Sequence, residues 1–134
     1  MTDDPPKANR ELIARLRAGR VVQLRAVGGS MWPTIRDGAI LMIAPCAVAK
    51  IRVGQLVAYA SDDGRLIVHR VVALGAGTIL LRGDGLAKPD PPVADADVLG
   101  IATIEWQRPL TFRLPRREEA RYLLRAVWRR LTKG

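Results

Sequence analysis

Short runs of Val, Ile and Leu, separated by Gly, Asp and Pro, occupy most of the chain between residues 21 and 106. Runs of this length and composition are typical of β-strands that are bounded by turns. The predicted strands are 21–27, 39–44, 55–60, 66–74, 78–82 and 98–106. This spacing predicts a mainly β fold, either a small barrel or a sandwich.

Two of the breaks between strands have the composition of hairpin turns. Asp62, Asp63 and Gly64 separate the third and fourth predicted strands, and Gly75 with Gly77 separates the fourth and fifth. Asp and Gly tolerate the backbone angles that tight turns require. We therefore expect these three strands to be consecutive neighbours in the sheet.

Helical periodicity is confined to the two ends of the chain. Near the start, Asn9 is the predicted cap of a short helix that ends at about Gly19, with Leu12, Ile13 and Leu16 on one face. From about residue 116 the pattern is again helical, and this second helix is amphipathic and basic. The predicted organisation is a leader and short helix at 1–19, a β domain at 20–107 and a basic extension at 108–134.

Positive charge is concentrated in that extension. The chain has 134 residues and a net charge of +9, and residues 108–134 carry nine Lys or Arg against two Glu, or +7. Such a helix can attach to an anionic membrane surface or an acidic protein partner, or it can pack on the domain with its charged face in solvent. Nucleic acid is not an expected partner, because the helix lacks interleaved aromatic residues beyond Tyr122 and Trp128.

The chain shows no export signal and no membrane-spanning segment. Its longest apolar stretch, 39–49, contains Pro45 and falls short of the roughly 20 residues that a spanning helix needs. We expect a cytoplasmic location, with peripheral attachment to a membrane through the basic helix as the alternative. Cys46 is the only cysteine, which excludes an internal disulfide and a cysteine-based zinc site, and its expected role is that of a small buried hydrophobe.

The segment from Val27 to Thr34, VGGSMWPT, is the most informative in the chain. Its two glycines allow a sharp turn that presents Ser30, and Pro33 stiffens the exit. A serine hydroxyl needs a base before it becomes a good nucleophile, and His69 is the only histidine. Either residue taken alone is more often structural than catalytic.

Two carboxylates follow in a loop after a predicted strand, in the segment LRGDGLAKPD. A histidine base needs a carboxylate that orients it and stabilises the imidazolium ion. Asp84 and Asp90 are the candidates, although each could equally be a turn former beside Gly83 or Pro91.

The segments around Ser30, His69 and the two acids, together with several others in the same order along the chain, resemble motifs of the signal peptidase I family of serine peptidases. The matching segments are Gly29-Ser30-Met31-x-Pro33, Arg36-Asp37-Gly38-Ala39-Ile40-Leu41, Val53-Gly54-Gln55-Leu56-Val57, Val68-His69-Arg70-Val71, Arg82-Gly83-Asp84, Asp90 and Val98-Leu99-Gly100. Bacterial signal peptidase I and the related self-cleaving SOS repressors use a Ser–Lys dyad. In having a histidine in place of that lysine, this chain resembles the endoplasmic-reticulum, archaeal and sporulation-type signal peptidases, which use serine, histidine and aspartate.

The resemblance implies a mostly β peptidase fold and an acyl-enzyme mechanism without metal or cofactor. Ser30 would be the nucleophile, His69 the general base, Asp90 the orienting acid, and Asp84 a second acid of less defined role. Around them, Gly28, Gly29, Met31 and Trp32 would form the oxyanion and substrate-binding region. The alternative is a non-catalytic or self-cleaving regulatory module, although the single helix before residue 20 is too short for a helix-turn-helix.

The chain also departs from the family pattern. Many relatives have a serine where this chain has Gly28, which leaves the oxyanion to backbone N–H groups around Ser30. Gly85 stands where asparagine is common, and the order Asp37-Gly38 reverses a frequent Gly-Asp pair. The sequence also shows no apolar segment long enough to be the membrane anchor of a signal peptidase, so the expected substrate is a peptide or protein that need not be a secretory precursor.

Overall fold

The computed structural model describes residues 7–110, 125 and 127–131, and it confirms a mainly β fold. Helix α1 is followed by seven strands and two short 3-10 turns. The elements are α1 (Lys7–Arg17), β1 (Val22–Arg25), β2 (Ile40–Pro45), a 3-10 turn (Val48–Lys50), β3 (Leu56–Ala60), β4 (Leu66–Leu74), β5 (Thr78–Arg82), β6 (Val93–Ala94), a 3-10 turn (Asp95–Asp97) and β7 (Val98–Trp106). Residues 125 and 127–131 are helical.

The strands form one curled antiparallel sheet, a half-barrel, in the order β1-β2-β7-β3-β4-β5-β6. Strands β3, β4 and β5 are consecutive neighbours, as the two turns predict. Gly64 and Gly77 adopt φ angles of 78° and 80°, which residues other than glycine rarely adopt. The long strand β7 crosses to pair with both β2 and β3, and it thereby joins the two halves of the sheet.

Apolar residues are buried on both faces of the sheet, since the neighbours Val57 and Ala58 of β3 are both buried and belong to different core clusters. One cluster lies among β3, β4 and β5 and includes Val57, Tyr59 and Val71. A second lies under α1, whose Leu16 is buried while Leu12 and Ile13 are half-buried against it, which confirms the predicted apolar face of that helix. Burial of this face is what stabilises a helix only three turns long.

The structure differs from the sequence-based prediction in two details, a wrong helix cap and an additional strand. Helix α1 begins at Lys7, so Asn9 lies within its first turn and is not its cap. Lys and Ala are better helix formers than Asn, which favours an earlier start. Strand β6 was not predicted, because two residues, Val93 and Ala94, are too few to show a strand pattern.

The predicted start of the basic helix near residue 116 lies outside the described residues. Within the described part, Val127, Trp128 and Leu131 are exposed. No helix in the described ranges combines the length and the hydropathy that crossing a bilayer would require.

Candidate active site

Ser30 lies in a turn that follows β1 and precedes β2. The turn opens with Gly28 at a φ of 90°, and the Gly28 N–H donates a 2.9 Å hydrogen bond to Asp37 Oδ1. Met31 is buried and anchors the turn in a core cluster with Ile35 and Leu41. The buried methionine thus holds its neighbour Ser30 at the surface of the sheet, where the serine remains half-buried.

A second loop, which leaves β5, packs directly against this turn. The Gly85 N–H donates a 2.9 Å hydrogen bond to the carbonyl oxygen of Ser30. A Cβ atom on Gly83 would collide with that same oxygen, and one on Gly85 would come within 2.8 Å of the Gly29 carbonyl oxygen. Both glycines are therefore required by close approach of two backbones, and this approach brings the loop of the candidate acids to the nucleophile.

His69 lies in the middle of β4, buried, with its ring between Ser30 and Asp90. Its Nε2 is 3.1 Å from Ser30 Oγ, and its Nδ1 is 2.5 Å from Asp90 Oδ2. A carboxylate can only accept hydrogen bonds, so Nδ1 carries the proton and Nε2 is left to accept one from the serine hydroxyl. The three side chains form one continuous hydrogen-bonded series.

Asp90 is placed by the main chain after β5. Its backbone N–H donates a 2.8 Å hydrogen bond to the carbonyl of Leu81, and its side chain is 14% exposed. Oδ2 also accepts a 2.8 Å hydrogen bond from the hydroxyl of Tyr59. Burial, together with the hydrogen bond and charge of Asp90, raises the pKa of the Tyr59 hydroxyl well above its ordinary value.

Asp84 has a different set of contacts. Arg70 Nε and an Arg70 terminal nitrogen donate to its two carboxylate oxygens at 2.8 and 2.7 Å, and the Thr34 hydroxyl donates at 2.6 Å. The paired Arg70, assisted by Thr34, lowers the pKa of the Asp84 carboxyl, and Asp84 in turn raises the pKa of Arg70. This acid therefore joins β4 to the end of the Ser30 turn, whereas Asp90 contacts His69.

Backbone N–H groups are available for an oxyanion beside the serine. Within the described ranges, the N–H groups of Gly29, Ser30 and Met31 donate to no protein acceptor. The Gly28 N–H is engaged by Asp37 and does not share this property. Unpaired donors around a nucleophile are what stabilisation of a tetrahedral oxyanion requires.

A groove of about 360 Å³ opens beside Ser30. It is lined by the end of β1 and the residues after it, by the start of β4 and by the buried Met31; the ranges are 24–28 and 65–68. Strand β1 is the edge strand of the sheet at this point. Trp32 is 56% exposed and is not part of the groove lining, and the peptide bond that joins it to Pro33 is cis.

Several side-chain contacts of the site were not foreseen from the sequence, among them the pairing of Arg70 with Asp84. Tyr59 and Thr34 each donate a hydroxyl hydrogen bond to one of the two acids, and Asp37 holds Gly28. A tyrosine in an otherwise apolar strand that pairs with the histidine strand was the available signal for Tyr59, because a buried hydroxyl needs a partner. Nothing local in the sequence marks Thr34.

Serine, histidine and carboxylate in hydrogen-bonded order on a β scaffold define the class of hydrolases that act through a serine nucleophile. The family model described as Peptidase S24-like matches residues 7–104. The chain therefore belongs to the Peptidase S24-like family of serine peptidases, and this confirms the relationship that the sequence motifs indicate. A comparison with curated proteins finds none that matches this chain.

Proposed function

We propose that this protein is a signal peptidase-like serine endopeptidase in which Ser30 is the nucleophile, His69 the general base and Asp90 the orienting acid. The observation that carries the proposal is the pair of distances about His69, 3.1 Å to Ser30 Oγ and 2.5 Å to Asp90 Oδ2. Family membership supports a peptidase in general. Many relatives have a lysine as the base where this chain has His69. A histidine base needs a carboxylate that orients it, and Asp90 supplies one.

In the proposed reaction, Ser30 Oγ attacks the carbonyl carbon of a peptide bond while His69 Nε2 takes the hydroxyl proton. The tetrahedral oxyanion accepts hydrogen bonds from the N–H groups around Ser30, and the imidazolium ion is stabilised by Asp90. His69 then donates its proton to the leaving amine, and the C–N bond breaks to leave an acyl-enzyme. Water, deprotonated by His69, hydrolyses the ester and restores Ser30.

An extended peptide or protein segment is the proposed substrate. The groove beside Ser30 runs along the end of edge strand β1, where a peptide can add its backbone hydrogen bonds to the sheet. Leu24, Ala26 and Met31 give the groove an apolar floor, which favours substrates with small or aliphatic side chains near the cleaved bond. Trp32, exposed outside this lining, is proposed to contact a longer substrate.

Labelling with a fluorophosphonate tests the nucleophile, because the chain has only two serines, Ser30 and Ser61. We expect one adduct on the folded full-length protein, located at Ser30 by peptide mass mapping. Ser30→Ala and His69→Ala should abolish it. Ser61 lies in the β3–β4 turn, hydrogen-bonded to Asp63 and Arg65, so Ser61→Ala is the matched control and should label at the wild-type rate.

The alternative, a regulatory module that keeps the fold without turnover, makes the opposite prediction. Folded protein that gives no adduct at Ser30 at any pH between 6 and 9 would contradict the enzyme and support a binding module. A labelled protein whose own chain is cut in time, in a Ser30-dependent manner, would instead identify a self-cleaving one.

The basic C-terminal extension is proposed to bind an anionic membrane surface and so to hold a cytoplasmic peptidase at the membrane. Its charge of +7 and the exposed Val127, Trp128 and Leu131 support this. Flotation of the full-length protein with vesicles that contain phosphatidylserine should recover it at low salt, and neutral vesicles should not. Equal recovery with both, or with neither, would rule out this role.

A further inference from the structure

Tyr59 is a buried tyrosine of β3 whose hydroxyl touches the acid of the site. The side chain belongs to the core cluster with Val57 and Val71, and its residue is only 5% exposed. A phenylalanine would fill the same apolar space, so the hydroxyl is the part that core packing does not explain. Its acceptor is Asp90 Oδ2, the same oxygen that contacts His69.

The register of the β3–β4 hairpin brings this tyrosine to the histidine. Val57 lies opposite His69 and Tyr59 opposite Ile67, so Tyr59 and His69 are diagonal neighbours on one face of the sheet. Their ring centroids are 6.4 Å apart with an interplanar angle of 69°, an edge-to-face contact. The ring therefore borders the imidazole while the hydroxyl reaches past it to the carboxylate.

Asp90 depends on few other contacts for its orientation. Its backbone is held by the Leu81 carbonyl, but the carboxylate can still turn about the bond that joins it to Cβ. In the described part of the chain, Oδ2 has the two donors Tyr59 and His69, and Oδ1 has no donor. In the proposed reaction the His69 contact changes as the proton moves, whereas Tyr59 takes no part in the proton transfer.

We infer that Tyr59 is a positioning residue, which fixes the Asp90 carboxylate in the orientation that His69 needs and takes up part of its negative charge. The inference rests on the proposed function, since it assigns Asp90 the role of orienting His69. The titratable side chains in contact with His69 in the described residues are Asp90 and Tyr59. The adjacent Arg70 points to the other face of β4 and pairs with Asp84.

The direction of the effect follows from charge. A hydroxyl that donates to Asp90 disperses its negative charge, so less of it acts on the imidazolium form of His69. Burial and Asp90 hold the pKa of Tyr59 above its ordinary range, so the donor keeps its proton where a histidine base works. Without the hydroxyl, His69 should hold its proton to higher pH, and the acidic limb of the rate profile should move upward.

Tyr59→Phe tests this, because it removes the hydroxyl and keeps the ring. His69 is the only histidine, so its ring-proton NMR signals can be followed in the full-length protein without assignment. We expect their titration midpoint to rise by about half a pH unit in Tyr59→Phe. We also expect the rate of Ser30 labelling at pH 7 to fall about fivefold, with the larger loss below pH 7 and the smaller above it.

Two further variants separate positioning from packing. Ile79→Val removes a methylene from the same core cluster and should lower stability without moving the His69 titration. In an Asp90→Ala background, the additional change Tyr59→Phe should have little effect on either measurement, because the hydroxyl acts through Asp90.

A folded Tyr59→Phe protein with the wild-type His69 titration and labelling profile would overturn the inference. So would an undiminished Tyr59→Phe effect in the Asp90→Ala background. The NMR titration does not depend on turnover, so it can fail while wild-type Ser30 is labelled. Conversely, absence of Ser30 labelling in the wild type contradicts the proposed function. It does not change what the NMR titration shows about the effect of the Tyr59 hydroxyl on His69.

Discussion

The two acids of the loop after β5 have opposite electrostatic surroundings. Asp84 is bound by the guanidinium of Arg70 and the hydroxyl of Thr34, and its charge is neutralised locally. Asp90 is bound by the Tyr59 hydroxyl and His69, neither of which carries a fixed positive charge. One loop therefore supplies a structural ion pair and, a few residues later, a carboxylate whose charge remains available to an imidazolium.

This difference explains why proximity in sequence is a poor guide to the role of an acid. Both carboxylates are largely buried, at 16% and 14% side-chain exposure. Asp84 makes no contact with His69, and the guanidinium of Arg70 balances its charge, so Asp84 does little to stabilise a proton on His69. The following predictions compare the two acids, beginning with the largest expected effect.

Replacing each acid by its amide should separate the two roles in the labelling rate. We expect Asp90→Asn to slow fluorophosphonate labelling of Ser30 at pH 7.5 by about 100-fold or more, because the amide offers His69 the wrong hydrogen-bonding group. Asp84→Asn should slow it by less than about tenfold, since Asp84 does not touch His69. The second-order labelling rates of the two folded proteins are the measurement, and equal or reversed losses would show that the acids are wrongly assigned.

Asp84→Asn should cause the larger loss when stability is measured, whereas Asp90→Asn causes the larger loss of labelling rate. Asp84→Asn breaks a two-point pairing with Arg70 and weakens the link to Thr34, and we expect it to lower the free energy of unfolding by about 2 kcal/mol at pH 7. This value already allows for the one-third exposure of the Arg70 side chain. The measurement is urea unfolding, with the variants compared where the dependence of the free energy of unfolding on urea concentration is the same. A smaller loss of stability for Asp84→Asn than for Asp90→Asn would contradict the comparison.

The smallest expected effect is the pH dependence of that stability difference. Arg70 and Thr34 lower the pKa of Asp84 in the folded state, so its contribution is complete above the ordinary carboxyl pKa of about 4 and is lost as the pH falls through the lower folded value. The difference between wild type and Asp84→Asn should therefore shrink steadily below pH 4. A difference that stays constant from pH 7 to pH 3 would exclude this origin.

Asp63 provides the matched control for both stability measurements. Hydrogen bonds from Ser61 and Arg65 lower its pKa as well, but its side chain is 55% exposed. Solvent screens such a surface pair, so Asp63→Asn should change stability far less than Asp84→Asn at every pH.

Most of the fold could be predicted because its signals are local. The six predicted strands correspond to β1 to β5 and β7, since runs of Val, Ile and Leu between Gly, Asp and Pro specify strand and turn directly. The hairpins at Gly64 and Gly77 follow from the same chemistry. The differences from the prediction are also local. Strand β6 has only two residues and shows no pattern, and helix α1 begins ahead of Asn9 because Lys7 and Ala8 are better helix formers.

The candidate site was predicted in its residue types and only partly in its contacts. The motif order singled out Ser30, His69 and the two acids. It gave no reason beyond resemblance to favour Asp90 as the partner of His69, and it did not foresee Tyr59. That tyrosine could have been found by combining the β3–β4 turn with strand alternation, since the register follows from the turn.

The sequence by itself determined where the strands and turns lie, which residue types the site has, and that a serine, a histidine and two acids occur in a peptidase-like order. Only the tertiary structure decided which acid faces the histidine and which is neutralised by arginine. The physical reason is that these contacts join β3, β4 and two loops, so they depend on strand register and on the close approach at Gly83 and Gly85. Neither is encoded within any one segment of the chain.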